Sequence, residues 1–208
     1  MVNNLSIHLE IYSPYFLLYQ LIPTVFAIIA GIFLILTEKY NKSELYYSNY
    51  YKIAGYILLI SRIVLIFLII FSVQFLGTQS SQAIAIDFLI YALIQHFSLL
   101  IVFLVCFSLI GVHNYREYGN QLLFVAISGT IYVVLLLILD MVIFYWILGY
   151  VPLYIGFGVS LAALIMFILT FMLMIFIGFN VINKFFALSG LFFLLEYVFV
   201  SFILFLLI

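Results

Sequence analysis

The chain has 208 residues, of which 70% are hydrophobic and only 6% charged, and its mean hydropathy is +1.46. A water-soluble domain carries about a quarter of its residues charged, so a fold solvated on all sides is excluded. The net charge of -1 excludes the basic footprint of a nucleic-acid-binding protein, and the single Cys106 excludes an intrachain disulfide or an all-cysteine metal site.

Six apolar runs are each long enough for the ~20 helical residues that cross ~30 Å of hydrocarbon. They fall near residues 15–36, 53–75, 83–112, 122–147, 151–179 and 185–208. None alternates inside-out as a membrane β-barrel strand does, so the expected fold is all-α, a polytopic bundle of six transmembrane helices in one domain. The first fourteen residues hold Glu10 and no Lys or Arg, unlike a secretory signal peptide. Pro23 falls within the first span, where it removes one helical hydrogen bond and can kink the helix. The short turn Leu148-Gly149-Tyr150-Val151-Pro152 makes a tight hairpin of spans four and five.

The basic residues set the expected orientation. Lys39, Lys42 and Lys52 lie between spans one and two, Arg116 between three and four, and Lys184 between five and six. The opposite connections carry none, so the positive-inside rule places the lysine side in the cytoplasm and both termini outside. Tyr12, Tyr15, Tyr145, Trp146 and Tyr150 then read as an outer aromatic belt, and Tyr46, Tyr47, Tyr50 and Tyr51 as an inner one. Ala27/Gly31, Ala126/Thr130 and Gly156/Ser160 are spaced for close helix contact. Spans one and five lack ionisable residues, which predicts that they lie at the lipid-facing periphery.

Ionisable groups in hydrocarbon are costly, about 2.5–3.5 kcal/mol for Asp on insertion scales, so they normally face protein or water. The third span carries most of the polar groups of this kind: Asp87 and His96, with the neutral Gln95, on entry, and His113 and Arg116 on exit. It is therefore expected to stand at the centre of the bundle. Arg62 follows Lys52 by ten positions and Glu196 follows Lys184 by twelve, which puts both about 15–18 Å from the lysine side, near the midplane. These two are expected to lock spans two and six as a buried pair, the alternative being an arginine that holds an anionic head group or a glutamate that passes protons. On the third span Asp87, Tyr91, Ser98 and, more loosely, Gln95 share one stripe, with His96 about 180° from Asp87. His96 is either a hydrogen-bonded core residue or a haem ligand. His113, about 25 Å farther along, cannot join it on one iron. Asp140 in span four and Asp87 have no cation on their side, which predicts protonation, hydration or neutralisation by another chain. The outer half is then either a proton-accessible polar path along Asp87, Gln95 and Asp140 or a place where the two acids snorkel to the outer surface.

Catalytic signatures are missing: there is no HExxH, GxSxG, Walker or dinucleotide fingerprint. Ser128-Gly129 and Ser189-Gly190 lack a positioned base.

Thr37-Glu38-Lys39-Tyr40 after a proline-bearing first span, Gln74-Phe75-Leu76-Gly77-Thr78 closing the second and Ala85-Ile86-Asp87 opening the third form a recognisable series. With Gly111-Val112-His113-Asn114-Tyr115-Arg116 at the exit and Val125-Ala126 in span four, it resembles the N-terminal four-helix part of subunit I of cytochrome bd-type quinol oxidases, over residues 15–146. The resemblance implies haem or quinone as cofactor and Asp87 at a proton-handling position. The chain departs from that family at its first-helix haem ligand, since Leu17 and Leu18 stand where a histidine belongs, and at its second acid, which is Gln95. The long quinol-binding loop is absent from this sequence.

The leading expectation is an integral subunit of a multi-subunit respiratory complex, in contact with lipid and other membrane subunits, not catalytic alone. The alternatives are a transporter or channel for a small ion or metabolite, using the level of Arg62, Glu196 and His96 as its site, and a purely structural membrane anchor.

Overall fold

Hydrocarbon offers no partner to a backbone N–H or C=O, so apolar runs of this length close their hydrogen bonds internally as helices. The computed structural model describes residues 14–40, 49–75, 81–114, 118–152 and 154–207, and among them every regular element is helical. Helix α1 spans Pro14–Lys39, α2 Asn49–Phe75 and α3 Ser81–Ile101. A π-helical turn, Val102–Phe107, carries α3 into the short α4, Ser108–His113. Helices α5 (Gly119–Ile147), α6 (Ile155–Asn180) and α7 (Lys184–Leu207) complete the chain.

Five stretches are long and apolar enough to cross a membrane: Leu21–Lys39, Asn49–Phe71, Leu89–His113, Gly119–Trp146 and Ile155–Asn180. Only 33–39% of each is buried within the protein, so most of each surface needs an apolar solvent. Phe67, Phe157, Phe176 and Phe179 are among the exposed large side chains on these faces. Such a continuous apolar exterior fits a lipid bilayer.

The helices pack as a ring in chain order. Helix α1 lies against α2 and α7, α2 against α3, α3 and the π turn against α5, α5 against α6, and α6 against α7. The third span is thus one stave of the ring and not its central pole. The physical reason is that its neighbours bring polar side chains of their own, so the interior is shared. Nor are α1 and α6 peripheral: α1 fully buries Ala27, Ala30 and Leu34, and α6 fully buries Ala163, Thr170, Met174 and Ile177. Every stave turns one face to the interior and exposes apolar side chains on another.

Close approach fixes individual contacts. A Cβ placed on Gly31 would lie 3.1 Å from the Gly55 carbonyl oxygen, so α1 and α2 touch backbone to backbone. Gly31 does so with Gly55 as its partner, while Ala27 is fully buried beside it. Phe103 lies flat against Gly129 where α5 has no side chain. From there an aromatic core runs through Phe107, Phe171, Phe186 and Phe193, with ring centroids 5.1–6.0 Å apart. The π turn buries Val102, Phe103, Cys106 and Phe107 together. Its inserted residue re-aims the chain beyond it, so a straight 3.6-residue projection does not carry from His96 to His113.

Asn183 anchors the start of α7. Its side-chain oxygen accepts from the N–H groups of Phe185 and Phe186 at 3.0 and 3.1 Å, capping the helix. Its amide donates to the Thr37 carbonyl at 3.0 Å, which ties the same corner to the end of α1. Glu38 accepts the backbone N–H of Lys52, and Tyr50 stacks on His113 with centroids 5.9 Å apart. These contacts gather the end of α1, the start of α2, the end of α4 and the start of α7 at one end of the ring, with Lys39, Lys52 and Lys184. Gly149, at φ +80°, turns the α5–α6 hairpin at the opposite end, where Tyr150 and Tyr154 are exposed.

Candidate functional site: an ionisable network inside the ring

Arginine cannot shed its charge, so a buried guanidinium must find a counter-charge and acceptors for its five N–H donors. Arg62, on α2, is 0% exposed. Its Nη2 stands 3.4 Å from Glu196 Oε1 of α7, and Glu196 is itself buried. The structure therefore brings this pair together, across the interior, from staves that α1 separates. The contact is longer than the 2.7–2.9 Å of a charge-assisted hydrogen bond. Nε, Nη1 and Nη2 all lack a hydrogen-bond acceptor. Arg62 has a counter-charge but no aligned acceptor.

The second pair joins adjacent staves. His96 Nδ1 of α3 lies 2.5 Å from Asp140 Oδ2 of α5, with both side chains about nine-tenths buried. One proton must sit between them, on nitrogen donating to carboxylate or on oxygen donating to imidazole. Asp140 is therefore not the unmatched acid that the sequence suggests. Helix projection from Asp87 turns His96 away from the third span's acidic stripe but cannot say which helix that side faces, and it faces α5.

The two pairs belong to one field. Glu196 interacts electrostatically with both Arg62 and His96. Tyr132 of α5, 5% exposed, interacts electrostatically with Glu196, Tyr197, Arg62 and Asp140. Tyr91 of α3 hydrogen-bonds Thr24 of α1 and interacts with Arg62 and Glu196. Phe167 of α6 closes the side of the site, stacked on Tyr197 at 4.1 Å and tilted against Tyr132 at 5.3 Å. Thr170 of α6 donates to Ser128 of α5 at 2.9 Å, which uses that serine structurally. Ser189 donates to the Phe186 carbonyl.

The other expected residues fall elsewhere. Gln95 is half-buried, with its backbone carbonyl accepting from Ser98 at 2.8 Å, and the acid of α5 goes to His96 beside it. Asp87 is part of α3, but its side chain lies outside the described residues, as do Lys42 and Arg116. Tyr51 is not a belt residue. It is 1% exposed, packed edge-on to Phe186, with its hydroxyl unpartnered. Sequence reasoning also missed Tyr132, Tyr197 and Thr24. Tyrosine occurs 17 times in this chain, so tyrosine alone is no signal. The usable signal was position: Tyr132 lies thirteen residues into α5, at nearly the depth of Arg62 and Glu196 in α2 and α7.

A haem held by two histidines does not fit the residues present. His96 gives Nδ1 to Asp140 and keeps Nε2 as its one ligating nitrogen, while the other described histidine, His113, lies about 25 Å along the same helix at the lysine end, on the Leu109 carbonyl. Between them the interior is filled by Phe103 and Phe107. Among the described residues no group of three His, Cys, Asp or Glu could hold a metal ion. The chain matches no protein-family model, no curated protein and no solved structure.

Proposed function

We propose that this chain is a six-span membrane transporter, lysine end in the cytoplasm and both termini outside, that moves a small solute coupled to protons through its midplane network. The observation that carries this reading is the pair of ionisable contacts, Arg62–Glu196 and His96–Asp140, enclosed by a ring of this chain's own helices. Ionisable groups at mid-membrane depth normally mark ion or proton pathways. Glu196, His96 and Asp140 can each exchange a proton, and Arg62 keeps a fixed positive charge beside them. Helix α7 supplies the sixth span, with Glu196 as its single acid.

A second reading keeps the chain as a proton-conducting subunit of a respiratory complex of quinol-oxidase type. The Asp87 position and the sequence resemblance favour it. Its case is weaker because Asp140 finds its counter-group within the chain, which removes one need for a neutralising partner subunit. Gentle extraction that recovers oxidase chains and a haem spectrum would favour this reading.

The test of the transporter reading is reconstitution. Purified protein in liposomes under a potassium diffusion potential is expected to admit protons, and Asp140→Asn and Glu196→Gln to reduce the flux to that of protein-free vesicles. Equal flux in the wild type and protein-free vesicles would overturn it.

A further inference from the structure

Arg62 presents a fork of donors shaped for a planar, two-oxygen acceptor, yet its neighbour Glu196 meets it at 3.4 Å and off the hydrogen-bond direction. An unsatisfied charged donor in a low-dielectric interior is costly, so the arrangement is retained at a cost in stability. We infer that Arg62 is the seat of a small carboxylate or oxyanion substrate, and that Glu196 is the internal carboxylate which occupies it between turnovers. This deepens the transport reading and rests on it.

Charge balance sets the cycle. With the seat empty of substrate, Arg62 is balanced by the Glu196 carboxylate. A free anion entering beside that carboxylate would leave an excess negative charge in the interior. A proton bound to Glu196 removes its charge, and the anion then takes the guanidinium with both oxygens. One proton and one anion enter together without net charge, whereas a proton that enters alone on Glu196 carries its charge and is driven by a diffusion potential; no covalent bond is made or broken. The groups that face Glu196 are consistent with this order. Arg62 comes from α2, His96 and Tyr91 from α3 and Tyr132 from α5, and Tyr132 in turn interacts with Asp140 of α5 and Tyr197 of α7. Helix α6 carries no ionisable residue, and α1 offers Thr24 at this level. His96, hydrogen-bonded to Asp140, interacts electrostatically with Glu196, which places the pair to relay a proton to it.

The test uses the full chain in detergent and in liposomes, with L-lactate, inorganic phosphate and chloride as probes. In detergent, wild-type thermal stability is expected to rise with lactate or phosphate, more at acidic than at neutral pH, and chloride to have little effect. Glu196→Gln removes the competing charge, so its stabilisation by the same probes is expected to be larger and no longer dependent on pH. Arg62→Gln is expected to lose it. Should Arg62→Gln fail to fold, the wild type and Glu196→Gln still decide the matter. In pyranine-loaded liposomes, external lactate is expected to acidify the interior faster than in protein-free vesicles, which correct for leak of the undissociated acid. A folded Glu196→Gln protein that no probe stabilises at any pH would overturn the seat. Equal stabilisation by all three salts would overturn it too. Proton entry under a diffusion potential with no probe present is measured separately. If that flux persists while the anions do nothing, the seat fails and the proton-handling reading stands.

Discussion

At the scale of single residues, the interior charges are coupled and should be removable only together. Arg62→Met or Glu196→Leu alone strands a buried charge, and each is expected to cost roughly 3–5 kcal/mol. The double substitution is expected to recover most of that loss, since two apolar side chains then replace a poorly hydrogen-bonded pair. Thermal unfolding of the four proteins in one detergent checks this, and additive losses would argue against the pairing. His96→Leu takes away the hydrogen bond of Asp140 and is expected to lower stability by about 1.5–3 kcal/mol. Asp140→Leu in the same background should then add little, because its partner is already gone.

At the scale of elements, the contacts that set the helices against each other carry little charge and much geometry. Gly55 lies so near the backbone of α1 that a β-carbon there collides with the Gly31 carbonyl and with Ile35. Gly55→Val is expected to push α1 off α2 and to cost about 1–3 kcal/mol, as overpacking does. The same substitution at Gly158, where a β-carbon meets nothing within 4 Å, is the control and should be near neutral. Asn183→Ala removes the cap of α7 and is expected to cost about 0.5–2 kcal/mol. It also frees the Thr37 carbonyl, so Asn183→Asp, which keeps the cap but loses the amide donor, separates the two roles. An unfolding curve for each variant checks these values.

At the scale of the whole molecule, the ring has two distinct ends, and sidedness can be read by labelling. In a Cys106→Ser background, Lys184→Cys is expected to resist a membrane-impermeant maleimide applied outside intact cells, and Tyr150→Cys to react with it. The opposite pattern would invert the topology and with it the direction of proton entry. The ring also gives each helix a part in the interior. Five of its six staves bring a polar side chain to the interior network, and the sixth, α6, closes it with Phe167 and hydrogen-bonds α5 through Thr170.

The amino-acid sequence alone determined the solvent and the element type. Apolar runs of about 20 residues can satisfy their backbone in lipid only as helices, and that constraint is local. It also suggested the meeting of Arg62 with Glu196, because depth along a helix follows from counting 1.5 Å per residue from a charged end. Angular relations between helices were not legible. Which face of α3 looks at α5 depends on how each helix is turned about its axis, and no spacing within one helix encodes that. Hence Asp140 looked unpartnered until packing brought His96 to it, Tyr51 looked interfacial until α2 turned it inward, and the third span looked central until its neighbours closed a ring. Packing decides these because every stave of an apolar helix offers several equally greasy faces, and only the fit of Gly55 to Gly31, Gly129 to Phe103 and Asn183 to Thr37 selects one.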